Sequence, residues 1–270
     1  MSQMLKSSSA MGAATLASRV LGLVREQVYA AFMGTTAVAG AFYLAFTIPN
    51  LFRRLLGEGA LTAAFIPIFK EKEKKEGDAA MWHSANAVIS GLVVAAAAVV
   101  AAVIVGISIV ISTAPLSETT ELMLRLLRIM FPYMLLVCLA AMFMGMLNAR
   151  GHFFIPAMGA AMLNVVMIAS VFFLAPRMGD TLETQVFALA IGVLAAGVAQ
   201  AAFQLPTLRT EGFRYRWVSP WHDPTVREVV RKMLPASIGV AAFQINVLFT
   251  QGLAFTKFEP IVAAFSIAVR

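Results

Sequence analysis

Residues 11–56 read MGAATLASRVLGLVREQVYAAFMGTTAVAGAFYLAFTIPNLFRRLL, two stretches fit for lipid that carry five charged groups: Arg19, Arg25, Glu26, Arg53 and Arg54. At about 1.5 Å per residue, Arg19 and Arg25 lie roughly 12 and 21 Å along a helix that starts near Met11. Both therefore stand at membrane depth. An arginine at the bilayer centre costs about 2.5–3.5 kcal/mol on insertion scales, so two in one span call for a partner or a wet cavity. Ser18, Gly22 and Arg25 share a stripe at i, i+4, i+7, with Arg19 and Glu26 repeating beside it. The second stretch places Tyr43, Thr47, Asn50 and Arg54 on one stripe, flanked by Arg53, with Pro49 removing a backbone donor. Two polar flanks can face one cavity, and an anionic ligand would supply the arginines' partner. For Arg53 and Arg54, which end a span, snorkelling to headgroups is the simpler reading.

Working outward, 60% of the residues are hydrophobic and 13% charged, with a mean hydropathy of +0.82. Ordinary soluble domains carry roughly a quarter charged residues, so this is the composition of an all-α integral membrane protein. The net charge of +7 does not point to nucleic acid, because the basic residues stand between apolar spans instead of forming a patch on a soluble fold. The single cysteine, Cys138, lies in an apolar run and can form no intramolecular disulfide. His83, His152 and His222 are far apart and lack a second ligand at metal spacing, so no metal or cofactor is implied.

Apolar runs long enough to span predict helices near 11–33, 37–56, 85–113, 123–147, 153–175, 182–205 and 233–255, with an eighth from about Pro260. With the amino terminus placed inside, Lys6, Arg53, Arg54, the lysines of 70–75, Arg150 and the basic residues of 209–232 all fall on the cytoplasmic side. Only Arg177 and Lys257 fall in loops outside. The segment ALTAAFIPIFKEKEKKEG reads as a helix leaving along the inner interface, its charged run a solvated end with local ion pairs. Arg125 and Arg128, one turn apart, snorkel at the outer interface or form a second anion contact. Asn164, Gln200, Gln204, Gln244 and Asn246 read as helix-to-helix glue, and Trp217 and Trp221 as interfacial anchors. The basic and aromatic stretch 209–233 divides a six-helix lobe, residues 1–215, from the start of a second lobe, residues 216–270.

The chain contains no G-x-x-x-x-G-K-[ST] loop, G-x-S-x-G elbow or H-E-x-x-H motif, and no paired intramembrane carboxylates, so an enzyme is disfavoured. A cation antiporter would need a buried acid, and Glu26, the acid inside a span, has arginines beside it.

The patterns S-R-V-L-G-x-x-R at 18–25 and P-N-L-x-R-R-x-x-x-E-G-A at 49–60, then FPYMLL and a span ending in QLP, resemble the lipid II flippases of the MurJ or MviN family. The resemblance runs along essentially the whole chain. It implies the multidrug/oligosaccharidyl-lipid/polysaccharide exporter fold, a helix bundle of two pseudo-symmetric lobes of which about eight spans are present here and the second lobe is truncated. It further implies alternating access around a cationic cavity in a bacterial cytoplasmic membrane, with lipid II or a related undecaprenyl-diphosphate-linked substrate as partner beside the membrane lipids. Carried over by motif, the substrate contacts are Arg19, Arg25, Asn50, Arg53 and Arg270, with Ser18, Glu26 and Thr47 as cavity neighbours. The chain departs from the family pattern at Gly40, where relatives carry an acid before A-F-[FY], and at Val269, where an Asp precedes the arginine. Its cavity is expected to be more positive than theirs. The rival readings are a flippase for another lipid-linked oligosaccharide and a transport-inactive, lipid-binding membrane scaffold.

The last expectation concerns extent. Ending at Arg270 leaves about ten apolar residues of the eighth span, half of what a bilayer needs. The locus is therefore expected to encode a reading frame that continues past Arg270, and a stop codon directly after it in a stably inserted protein would contradict this.

Overall fold

A computed structural model describes residues 2–52, 61–235 and 250. Arg53, Arg54, Gln244, Asn246, Val269 and Arg270, the seventh expected span past residue 235 and the whole eighth lie outside the described residues. Eight helices follow one another: α1 Ser2–Met33, α2 Ala37–Phe52, α3 Leu61–Glu76, α4 Asp78–Thr113, α5 Glu118–Met130, α6 Tyr133–Ala149, α7 Phe154–Ala169 and α8 Leu182–Thr210. A further helix, α9, begins at residue 224 and is described to residue 235. No strand occurs among the described residues. Lipid offers no partner to a bare peptide group, and a helix satisfies its own.

Local chemistry sets the ends. Gly34, at φ 59°, lets the chain turn out of α1 in the left-handed conformation that glycine tolerates best. Ser117 and Thr181 cap α5 and α8 by accepting from the backbone N–H of Thr120 and Thr184, with Glu118 and Glu183 in the first turns facing the positive end of the helix dipole. Asp223 Oδ1 accepts from the backbone N–H of Thr225 at 2.8 Å and of Val226 at 3.2 Å, so α9 starts on a capping aspartate.

The expected spans up to residue 205 have their helices. α4, α7 continued through its closing turns to Arg177, and α8 are long and apolar enough to cross a membrane. The expected fourth span is a pair, α5 and α6, bent by 41° at Phe131–Pro132, where proline can neither donate to nor fit against the preceding turn. α1 carries Arg19, Arg25 and Glu26 within its length, and α2 is described only to Phe52. α7 closes in a π-helical turn, Ser170–Leu174, where the Ser170 hydroxyl donates to the Val166 carbonyl at 2.8 Å.

Two apolar clusters hold the bundle. One is threaded by Tyr29, Phe42, Phe46 and Tyr133, with successive ring centroids 5.8–6.1 Å apart, and contains Cys138. The other runs through Phe65, Phe69, Trp82, Phe213 and Phe143, with centroids 5.4–6.0 Å apart. α2 is buried on every side from Ala39 to Phe46, whereas most of the apolar length of α4 is exposed. An exposed apolar helix is what a lipid-facing position requires. Small residues let helices approach: a Cβ at Gly197 of α8 would stand 2.8 Å from Tyr133 and 2.9 Å from Leu136 on α6. The polar residues act as expected, Asn164 donating to the Ser18 carbonyl at 3.1 Å and Gln204 to the Ala140 carbonyl at 3.0 Å.

The connection after α8 is fixed to α4. Asn86 Nδ2 donates to the Arg214 carbonyl at 3.0 Å, Ser90 pairs with the Tyr215 hydroxyl at 3.2 Å, and the Thr225 hydroxyl donates to Ser84 Oγ at 3.3 Å. Trp217 and Trp221 stay exposed beside it, as interfacial anchors would.

Gly197→Val is expected to lower stability by about 1–3 kcal/mol through overpacking against α6. Gly106→Ala, on an α4 face with no neighbour within 4 Å, is expected to cause no loss. Thermal unfolding of the two variants in detergent, read against the parent, checks both.

Candidate functional site

The stripe Ser18, Gly22, Arg25 faces inward. α1 packs chiefly on α7, and the missing side chain at Gly22 leaves room for Asn164, whose amide nitrogen would be 3.7 Å from an added Cβ. One turn further along, the Arg25 side chain is 12% exposed and that of Glu26 16% exposed; Arg25 Nη2 donates to Glu26 Oε1 at 2.5 Å. The guanidinium carbon lies 5.6 Å from the centre of the Tyr29 ring, within cation–π range. From α2, the Tyr43 hydroxyl donates to Glu26 Oε2 at 3.5 Å, and Thr47 donates to the Tyr43 carbonyl at 2.8 Å. Arg25 Nε is buried without a hydrogen-bond partner among the described residues. Among the described residues, Arg25 is thus paired with Glu26 in a seam that α2 reaches through Tyr43.

The motif residues thus divide. Arg25 and Glu26 belong to this seam; Thr47 adjoins it through its hydroxyl on the Tyr43 carbonyl, and Ser18 lies on the same stripe with its carbonyl accepting from Asn164. Arg19 lies apart on the exposed face of α1 with Leu16, Val20 and Leu23. Asn50 is half-buried on α2, a turn beyond Thr47. Arg53 and Arg270 lie outside the described residues. Gly40 is buried in α2, one turn before Tyr43. The second anion contact weighed at Arg125 and Arg128 does not fit its surroundings: Arg125 pairs with Glu121, Arg128 reaches Ser108 Oγ at 3.4 Å, and the groove beside Arg125 is lined by Glu118, Glu121 and Glu183. That groove repels an anion.

A family model described as lipid II flippase MurJ matches residues 29–269. The chain belongs to the MurJ lipid II flippase family. A probable lipid II flippase MurJ of Treponema pallidum is 38% identical over 97% of this chain and 50% of its own length. One from Rhizobium tropici is 37% identical over 96% and 49%, and the lipid II flippase MurJ of Burkholderia cenocepacia 35% over 89% and 48%. A solved structure of the lipid II flippase MurJ in an inward closed conformation superposes with a TM-score of 0.78 at 22% identity, covering 96% of this chain and 53% of that one. At that identity the likeness establishes the fold. The chain spans about half the length of the curated relatives it matches.

Sequence reasoning missed a second polar centre in this MurJ-family chain, at the opposite end of the bundle from Gly34. Arg150, after α6, bonds Glu73 of α3, Glu211 after α8 (Nε to Oε2, 2.8 Å) and, at 3.5 Å, Asp78 of α4. His152 Nε2 donates to Glu211 Oε1 at 2.8 Å. The His152 ring, followed by the Arg150 guanidinium, holds the Glu211 carboxyl below its ordinary value; Lys70, then Arg150, does the same for Glu73. Glu211, first among its neighbours, raises Arg150. The local pairs Lys72–Glu76 and Lys75–Glu71 were foreseeable from spacing, but the reach of Glu73 to Arg150 was not. Its one signal was a lone arginine at the end of a span with acids at the ends of three other segments.

Depressed carboxyl values mean that this cluster stabilises the fold above the ordinary carboxylate value of 4.5 and loses that contribution as pH falls below it. Thermal midpoints measured from pH 7 down to pH 3 are expected to fall in that acid range. Arg150→Gln is expected to lower the midpoint at pH 7 and to flatten the acid dependence, because the carboxylates lose the charge that favoured their ionised form.

Proposed function

We propose that the chain is the amino-terminal part of a flippase that moves lipid II, an undecaprenyl-diphosphate-linked peptidoglycan precursor, across the bacterial cytoplasmic membrane. Residues 1–215 form its first lobe and residues 216–270 begin the second, with the amino terminus in the cytoplasm. It works without covalent chemistry, as a transporter and not as an enzyme. The two lobes rock about a cavity whose arginines, Arg25 with Arg19, Arg53 and Arg270 and with Asn50 beside them, hold the diphosphate.

The observation that carries this reading is Arg25: a guanidinium 12% exposed within α1, with Nε unpartnered among the described residues. A residue kept only for structure would not be retained there against an insertion cost of about 2.5–3.5 kcal/mol. A guanidinium fork can grip phosphate oxygens bidentately, which an ammonium cannot. The orientation rests on the excess of lysine and arginine on one side of the bundle, and the substrate on membership of the lipid II flippase family.

The test is leaflet accessibility of lipid II in cells that depend on each variant, with membrane abundance measured alongside. Arg25→Ala is expected to abolish flipping at normal abundance, Arg25→Lys to recover only part of it, and Arg54→Ala to be milder. Normal flipping by Arg25→Ala would leave Arg25 as an ordinary membrane-buried charge and overturn the reading.

A further inference from the structure

We infer that Asn164 is a positioning residue for the substrate site: by holding the Ser18 carbonyl it sets how α1 is turned against α7, and so where Arg25 points. This rests on the reading of Arg25 as the diphosphate contact. Asn164 stands on α7 and is 6% exposed. Its Nδ2 donates to the Ser18 carbonyl at 3.1 Å, and a Cβ added at Gly22, the next residue of the stripe, would stand 3.7 Å from that nitrogen. Ser18, Gly22 and Arg25 follow one another on one side of α1, so the carbonyl that Asn164 holds and the guanidinium share a face.

α1 meets the bundle along a narrow stripe. Ala14, Tyr29 and Met33 are buried on it, whereas Leu16, Val20 and Leu23 on the other side are 52–64% exposed. Dispersion contacts are undirected and individually weak, so a stripe of this kind resists separation better than it resists rolling. A hydrogen bond weakens steeply off its axis and supplies the missing direction. Because the acceptor is a main-chain carbonyl, which has a lone pair to spare beyond its helical bond, Asn164 fixes the backbone of α1 whatever side chain stands at 18. Toward the end of the helix Tyr29 meets Phe42 and Tyr43 of α2, with ring centroids 5.8 and 6.3 Å apart, and Arg25 stands between these two holds. The Cα atoms of a helix lie about 2.3 Å from its axis and the tip of an arginine several times farther, so a small roll of the backbone becomes a large displacement of the guanidinium. Gln204 makes the same kind of bond, Nε2 to the Ala140 carbonyl at 3.0 Å, but it joins α8 to α6, away from Arg25.

The experiment uses the full-length protein in nanodiscs of neutral lipid. Its readouts are equilibrium binding of lipid II and of inorganic pyrophosphate, and the oxygen accessibility of nitroxide labels on Ser18→Cys and Val20→Cys in a Cys138→Ala background, which report the roll of α1. Asn164→Leu is expected to weaken both ligands about tenfold, the loss of one of two charge-assisted bonds, and to narrow the contrast between the shielded label at 18 and the lipid-exposed label at 20. Asn164→Gln, which keeps a donor, is expected to recover part of both. Gln204→Leu is expected to keep the parent's affinity and label contrast. Parent affinity in Asn164→Leu, a loss that Gln204→Leu shares equally, or a loss with the label contrast intact each overturns the positioning role, and with Arg25→Ala still losing lipid II the flippase reading stands. Affinity retained by Arg25→Ala overturns that reading itself. If Asn164→Leu does not reach the membrane, Gly22→Val decides, since its methyl groups would press the amide off Ser18: unchanged affinity and contrast there overturn the proposal.

Discussion

Hydrocarbon solvates neither a peptide group nor an ion, and this one constraint shapes every level of the chain. It makes the described elements helical, because only a helix closes its own hydrogen bonds within a segment. It also removes the hydrophobic drive between helices, leaving close packing and polar contacts to hold the bundle. Gly197 against Tyr133, Gly145 against Thr62 and Ile66, and the amides of Asn164 and Gln204 on carbonyls of neighbouring helices are the resulting devices. A charge that remains inside under such conditions brings its partner along, as Arg25 brings Glu26.

The two polar centres answer that constraint differently. Around Arg150 the carboxylates of Glu73 and Glu211 come from α3 and from the segment after α8, so the ion pairs lock elements distant in sequence into one body. Around Arg25 the carboxylate comes from the neighbouring residue, and among the described residues the Tyr43 hydroxyl connects it to α2. A network of long-range pairs resists motion.

The sequence was most legible where the signal is periodic or compositional. Hydropathy located α4, α7 and α8, the spacing of Ser18, Gly22 and Arg25 predicted their common face, and Pro132 marks the break between α5 and α6. What the face would touch was not legible. The two flanks were read as able to face one cavity, and in the described part they are linked through Tyr43 and Glu26, a contact that neither stripe announces. Choice of partner between helices depends on crossing angle and depth, which leave no periodic trace in either segment. The Arg150 cluster was hidden for a related reason, its members standing at 73, 78, 150 and 211 with ordinary spacing around each. Charge asymmetry between loops also absorbed Arg150 into a topology argument, where a basic residue needs no further explanation.

The connection from α8 to α9 obeys the same logic of satisfied groups. At the apolar face of a membrane bundle, a stretch such as 213–225 must find partners for its polar groups, and α4 supplies Asn86 for the Arg214 carbonyl, Ser90 for the Val218 N–H and Ser84 for the Thr225 hydroxyl. Those polar residues sit at the start of a helix whose remaining length is apolar, so their placement is set by what docks there and not by the span. Gly91 belongs to the same surface, since a Cβ there would stand 3.2 Å from Pro220. Hydrogen bonds from α4 reach both sides of residue 215, and Asp223 then caps α9 on that same support. The first turn of α9 is therefore carried by α4, through Thr225 on Ser84.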